Sequence, residues 1–333
     1  MNAEPSAHSN TMRAAVYDRY GPPSVVSLGT LPKPVPKANE VLIRVHATTV
    51  SSADWRMRSL TVPTGFGVFA RPAFGFFKPR KRVLGSELAG VVEAVGSGVS
   101  RFRVGDRVFA FPGFALGCHA EYRTVPEDGR IAPIPDGLSF EQAAALCFGG
   151  TTALHFLRDV GKVVAGESVL VVGASGTVGS AAVQIARHLG ARVTATTSGA
   201  NVERVRALGA DHVIDYTLED PLVAQYDVIF DSIGTLDNAS FKRGLKPEGR
   251  GLLIAAGLGQ IVGASWVGLT SKRKILGGPA PENPEHVRQL GELAAQGKFR
   301  PLIDRSFPLA EIVEAHTLVD SGRKRGSVIV TLD

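Results

Sequence analysis

Residues Gly173-Ala174-Ser175-Gly176-Thr177-Val178-Gly179 carry the strongest chemical signal in this chain. Glycine lets a backbone come close to a phosphate, and the free N–H groups that open a helix hold positive potential there. A turn of this kind binds a dinucleotide only when a strand precedes it and a helix follows. Both are legible. Ser168-Val169-Leu170-Val171-Val172 reads as a buried strand, and Val178, Ala181, Ala182, Ile185 and Leu189 recur at helical spacing. Ala174 stands where the first glycine of such a string usually lies. It is small, and Gly176 and Gly179 are in place. Ser175, Gly176, Thr177, Val178 and Gly179 are therefore the expected contacts to a pyrophosphate, the alternative being a tight turn with no ligand.

A second signal is a missing acid. NAD-selective sites place Asp or Glu about 20 residues past the turn, on the ribose 2′-hydroxyl. Nineteen residues beyond Gly179 the chain reads Thr196-Thr197-Ser198-Gly199. A carboxylate would repel a 2′-phosphate, whereas the Ser198 hydroxyl can donate to one. NADPH is thus favoured over NADH. Arg204, one turn further on, is a candidate cation for the same phosphate, the bland alternative being a solvated helix face.

These residues need a scaffold. At 333 residues, two domains are the natural expectation. The hydrophobic fraction of 44% and charged fraction of 20% describe a water-soluble globular chain. No apolar run of about 18 residues occurs, so neither a membrane span nor a membrane partner is expected. Two cysteines, Cys118 and Cys147, do not make a disulfide framework and fit a reducing cytoplasm. A net charge of +6 admits an anionic partner without identifying it. Residues 1–11 read as a flexible tail. From Met12 to Asp136 short strand candidates are punctuated by glycine turns, which suggests a barrel. Ser139 with Gln142 forms a helix-capping signal. Beyond it, strands and helices alternate, which implies a parallel sheet covered on both faces. Ser327–Thr331 is a last strand, expected to return to the first domain.

The ordered strings Gly85-Ser-Glu-Leu-Ala-Gly-Val-Val, Gly105-Asp-Arg-Val, Ala120-Glu-Tyr, Ala143-Ala-Ala-Leu, Thr151-Thr-Ala, Leu208-Gly-Ala-Asp-His-Val-Ile-Asp-Tyr and Asp227-Val-Ile-Phe-Asp join the glycine turn. Together they resemble the medium-chain dehydrogenase/reductase superfamily, in its zinc-free quinone oxidoreductase branch. The resemblance implies an α/β protein: a chaperonin-10-like β-barrel catalytic domain (residues 12–136 and 272–333) and a Rossmann domain with a doubly wound parallel sheet (137–271). It also implies a homodimer or homotetramer, and places Thr151, Thr152 and Gly257 near the nicotinamide and Tyr216 near the 2′-phosphate, unless Tyr216 simply closes the third Rossmann strand. Carried over by motif, the zinc ligands of the related alcohol dehydrogenases fall at Ser51, at Ser86 and at or near Cys147. Serine hydroxyls are poor zinc ligands, so no metal is expected. Cys118-His119 reads as a surface turn pair, and His46 and His155 as packed or surface histidines.

Without a metal, quinones and α,β-unsaturated carbonyls are the acceptors that suit hydride transfer, because the charge that develops on them is delocalised. NADPH-dependent reduction of such an apolar small molecule is the expected reaction. An enoyl reductase, a carbonyl reductase of the alcohol dehydrogenase type and an RNA-binding protein that keeps the NADPH fold are the alternatives. Nucleic acid is the weaker expectation, because no stacking platform is visible. By the resemblance, Ser51 stands where quinone reductases carry asparagine and Arg56 where some relatives carry tyrosine, and both are candidates to hydrogen-bond the acceptor oxygen; Asp54 matches a family aspartate, either a site residue or a cap for the next helix. The segment 65–81 crowds Phe66, Phe69, Phe74, Phe76 and Phe77 before the basic run Lys78-Pro79-Arg80-Lys81-Arg82. It reads as a lid over an apolar pocket, a loop packed on the barrel, or a surface patch for a partner or membrane.

Overall fold

The computed structural model describes residues 10–332, except 63, 66, 256, 258, 261, 262, 265–267, 269 and 270, and at 68 and 69 the backbone alone. The expectations for residues 1–9, for Phe66 and for the Phe69 side chain lie outside the described residues.

The first part of the chain is built on β3 (Glu40–Val50), a strand of 11 residues that is buried over most of its length. Before it, β1 (Thr11–Val16) and β2 (Ser27–Pro32) form an antiparallel pair. After it come α1 (Ser52–Ser59), α2 (Gly67–Phe74), β4 (Leu88–Val95), β5 (Arg107–Ala110), β6 (Tyr122–Pro126) and β7 (Ile131–Pro133). β3 pairs with both β4 and β6, and the ladder continues through β5 to β7. Two register shifts bend β3 against β4. Gly90 sits at that bend, where a Cβ would come within 2.0 Å of the Arg44 carbonyl oxygen. A glycine here lets the sheet coil towards closure.

The chain then passes through α3 (Phe140–Ala144) and α4 (Cys147–Leu154) into a repeating strand–helix pattern. The Ser139–Gln142 capping box forms as expected. The strands are β8 (Ser168–Val172), β9 (Arg192–Thr197), β10 (His212–Asp215), β11 (Tyr226–Asp231), β12 (Leu245–Leu253) and β13 (Lys274–Gly277), with α5 (Thr177–His188), α6 (Val202–Arg206) and α7 (Asn238–Gly244) between them. They line up as β10-β9-β8-β11-β12-β13, every pair parallel. The central strands read as continuous apolar runs because helices bury both faces: Val169, Leu170, Val171, Val228, Ile229 and Phe230 are all fully buried. The chain leaves β8 for one side of the sheet and returns to the other at β11. That reversal opens a crevice at the carboxyl ends of these two strands. β13 lies beyond residue 271, so the parallel sheet runs further than the boundary expected from sequence. Its four residues are too short a run to show a period.

The rest of the chain adds α8 (Pro284–Ala295), β14 (Ile303–Pro308), α9 (Ile312–Asp320) and β15 (Ser327–Thr331). β15 pairs antiparallel with β3 and parallel with β14, returning the terminus to the first sheet as expected. One apolar core runs from Ala47, Ala89 and Phe109 of the first sheet through α4 into the parallel sheet. The two halves are thus packed on each other across α4.

Candidate active site

The glycine turn lies at the carboxyl end of β8. Gly173 has φ +81°, which a side chain would strain, and Gly179 packs so closely that a Cβ would come 2.1 Å from the Gly173 carbonyl oxygen. These two glycines set the turn and seat α5 on β8. The N-cap of α5 is Gly176, which has no side chain to satisfy the first N–H groups. A Cβ on Gly176 would make ordinary contact with the Gly173 carbonyl oxygen, 3.5 Å away. A helix start with no side-chain cap and the positive end of its dipole together suit an anion.

The turn is not roofed by its own sheet alone. The segment between α9 and β15 crosses to it. Lys324 Nζ donates to Thr177 Oγ1 at 2.7 Å and to the Gly326 carbonyl at 3.1 Å, and Thr177 Oγ1 donates to that same carbonyl at 2.9 Å. Lys324 as a whole is part-exposed. Loss of hydration pushes its pKa down to about 8, against the pull of Asp304 and Glu87. Sequence reasoning missed Lys324. The only signal was the basic run Arg323-Lys324-Arg325 ahead of Gly326, and a charge run reads by default as solvated.

Thr151 and Thr152 lie on α4, Thr151 buried and Thr152 donating to the Phe148 carbonyl at 2.8 Å. Glu87, fully buried, places that helix: its carboxyl accepts from the Phe148 N–H at 2.6 Å and from the Thr49 hydroxyl. Burial raises its pKa to about 7. Gly149 lets α4 press on the glycine turn, a Cβ there falling 2.5 Å from the Thr177 carbonyl oxygen. Gly257 is close to the loop after α1, where a Cβ would come 3.2 Å from the Thr64 carbonyl oxygen. Thr151 and Thr152 thus lie on the helix that packs against the turn, and Gly257 lies against the loop after α1.

At the carboxyl end of the neighbouring strand, Ser198 follows β9 and accepts from Asn201 Nδ2 at 3.1 Å. Tyr216 follows β10, and its ring is exposed beside this strand end, its N–H donating to the Thr197 carbonyl at 3.1 Å. Arg204 departs from expectation. It donates to the Ile303 carbonyl at 2.6 Å, held there by the β14 segment rather than by a corner formed with Ser198. Asp215 is a residue the sequence reading did not weigh. Its carboxylate lies where a Cβ on Gly199 would be, 2.6 Å away, and Thr217 holds its pKa below the usual range. It braces the strand end through the Thr217 hydroxyl and N–H.

Residues 37–136 match the alcohol dehydrogenase GroES-like domain family, and residues 208–330 match a family described as zinc-binding dehydrogenase. The quinone oxidoreductase of Pseudomonas aeruginosa is 32% identical over 332 residues, covering 93% of this chain and 97% of that protein. The chloroplastic NADPH-dependent alkenal/one oxidoreductase of Arabidopsis thaliana is 33% identical, covering 96% of this chain and 79% of that protein. The solved quinone oxidoreductase from Coxiella burnetii matches with a TM-score of 0.84 at 31% identity, covering 97% of this chain and 100% of that one. This chain belongs to the medium-chain dehydrogenase/reductase superfamily, in its quinone oxidoreductase branch. It is an oxidoreductase.

Within this oxidoreductase the three positions that match zinc ligands in related enzymes do not fit a zinc ion. The Ser51 hydroxyl caps α1, donating to Asp54 Oδ2 at 2.6 Å. Ser86 is a buried neutral hydroxyl, and burial raises the Cys147 thiol well above its ordinary pKa. Among the described residues no three His, Cys, Asp or Glu side chains converge on a point. Ser51 also departs from the role expected of it, because its one proton is already given to Asp54. Asp54 takes the structural role instead, its other oxygen accepting from the Gly85 N–H at 2.8 Å. Arg56 is half-buried and makes no hydrogen bond or ion pair among the described residues, and desolvation lowers its pKa. Cys118 and His119 are not a surface pair. Both are fully buried, because Gly85 leaves room for the His119 ring, which lies 2.5 Å from where a Cβ would be. His46 stacks on Phe140 at 4.4 Å, and His155 packs edge-on to Phe156.

Proposed function

We propose that this chain reduces a quinone or an α,β-unsaturated carbonyl with NADPH and without a metal ion. The observation that carries this reading is the uncapped N-terminus of α5 behind a glycine turn, at the carboxyl end of the central strand of a parallel sheet. Bound NADPH supplies a hydride at C4 of its nicotinamide. The first-turn N–H groups of Thr177, Val178 and Gly179, with Ser175 and Gly176 in the turn before them and Lys324 beside them, hold the pyrophosphate. Ser198 and Tyr216 face the 2′-phosphate, and the absence of an acid at Ser198 favours NADPH over NADH. Thr151, Thr152 and Gly257 position the ring. Arg56 stabilises the charge that develops on the acceptor oxygen, since Ser51 is occupied in its cap.

Neutral Ser51 and Ser86 support a zinc-free site, and delocalised acceptors suit it. The two free buried thiols suit a reducing cytoplasm, and β13 offers an unpaired sheet edge to a second copy in a homodimer. The test is NADPH oxidation with quinones, enones and aldehydes, with and without a chelator, together with metal analysis. Turnover of quinones or enones at the same rate under chelation is the expected result. Turnover of aldehydes alone, abolished by the chelator, would reject the proposal.

A further inference from the structure

The loop that follows α2 presents an unusual surface. Phe76 is 55% exposed and Phe77 is 96% exposed, side by side at its tip. Arg71, Lys78, Arg80, Lys81 and Arg82 surround them, all exposed. From residue 55 to residue 86 the sequence contains no Asp or Glu. None of the five cations forms an ion pair among the described residues.

The tip is held out by design of the backbone around it. Arg71 donates to the Phe76 carbonyl at 2.6 Å, and the Tyr20 hydroxyl donates to the Gly75 carbonyl at 2.9 Å. The Arg80 N–H closes on the Phe74 carbonyl at 2.9 Å, and the Tyr17 N–H ties down Arg82 at 2.9 Å. Gly75 turns the chain at φ +128°. Four hydrogen bonds thus fix an apolar point inside a ring of unpaired cations.

We propose that this loop docks on the surface of an anionic lipid bilayer. Phe76 and Phe77 enter the boundary between headgroups and acyl chains, and Lys78, Arg80, Lys81 and Arg82 lie against lipid phosphates. Charge complementarity selects this occupant, and the two phenyl rings, which have no polar atom to satisfy, fit an acyl boundary. No helix among the described residues is long and apolar enough to cross a membrane, so the contact is peripheral. The inference does not depend on which acceptor is reduced.

The experiment is co-sedimentation of the full chain with vesicles of phosphatidylcholine, alone or mixed with phosphatidylglycerol. Binding to the mixed vesicles at low salt, weakened by high salt and about tenfold stronger than to phosphatidylcholine alone, is expected. The paired substitution Phe76→Ser with Phe77→Ser is expected to weaken binding by roughly tenfold or more. Lys78→Gln with Lys81→Gln is expected to do about the same. Circular dichroism confirms that these exposed changes leave the fold intact, and NADPH oxidation with a water-soluble quinone tests the proposed reaction separately. Absence of vesicle binding, or equal binding by wild type and both variants, overturns the proposal. Tighter binding to polyuridylate RNA than to mixed vesicles at the same salt also overturns it, and assigns the patch to nucleic acid.

Discussion

Replacing Lys324 with methionine should move stability and coenzyme affinity in opposite directions. The Lys324 ammonium gives up water for two acceptors, Thr177 Oγ1 and the Gly326 carbonyl, and its pKa falls from an ordinary 10.5 to about 8. Between pH 8 and 10.5 the unfolded chain therefore binds more protons at this residue than the folded chain, and stability rises with pH across that window. Below pH 8 the whole penalty is present. A depression of this size corresponds to about 3 kcal/mol. Methionine keeps the stem and removes the charge, but forfeits hydrogen bonding worth about 1 kcal/mol. The variant without coenzyme should thus be more stable than wild type near neutral pH by about 1–2 kcal/mol. The gain should shrink as pH climbs through the window.

Coenzyme affinity should respond the other way. Removal of a charge-assisted contact to phosphate weakens binding by about 1.5–3 kcal/mol, or roughly 10- to 100-fold. In wild type, affinity for NADPH should fall as pH rises above about 8 and Lys324 loses its proton, whereas K324M should bind weakly at every pH. Urea unfolding of both proteins across this pH range measures the first effect, and titration of NADPH fluorescence measures the second. A variant less stable than wild type at neutral pH, or one with unchanged NADPH affinity, would refute the reasoning. A stability difference that does not change between neutral and strongly alkaline pH would show that desolvation of the ammonium is not its source.

Gly179→Ala should destabilise the chain by about 1–3 kcal/mol, because the added Cβ meets backbone at 2.1 Å from the Gly173 oxygen and cannot swing away; an unchanged Tm and NADPH affinity would show that the close seat of α5 is not needed. Arg56→Gln should lower kcat by about 10²-fold and leave the KM for NADPH unaltered, since its role is on the acceptor side; a loss confined to KM for NADPH would place it in coenzyme binding instead. His316 is fully buried, both ring nitrogens lack a partner among the described residues, and burial, His119 and Arg58 hold its pKa well below the usual 6.5. The unfolded chain therefore takes up a proton at this residue as pH falls past 6.5 while the folded chain resists, and stability drops by about 1.4 kcal/mol per pH unit on that account. His316→Leu should flatten this acid limb in urea titrations, and an unaltered limb would assign acid sensitivity to other groups.

Features set by neighbours in sequence were legible before the structure. The run from Ser168 to Gly179 announced strand, turn and helix because each depends on local spacing: a run of buried apolar residues, a positive φ at Gly173, and apolar residues every third or fourth position. The Ser139–Gln142 box was legible for the same reason. The order of the parallel sheet follows from alternation of strand and helix, which admits few topologies. β13 was not, because four residues with one buried side chain show no period.

The site itself divides along the same line. Gly176 and Gly179 are local, and a string reveals them. Lys324 reaches Thr177 across 147 positions, and Arg204 is drawn to Ile303 across 99. In both cases one residue type has two physical outcomes, a solvated charge or a desolvated one, and the tertiary crevice decides between them. Ser51 shows the converse. Its type suits hydrogen bonding to a substrate, but Asp54 three positions away offers both a backbone N–H to accept from and a carboxylate to donate to. The local partner is always present, whereas a substrate arrives at finite concentration and must displace it. A hydroxyl that opens a helix with an acid three residues on should therefore be assigned to its cap first, and the acceptor side of this site should be sought in cations left unpaired by the fold, of which Arg56 is the one that sits on the same helix.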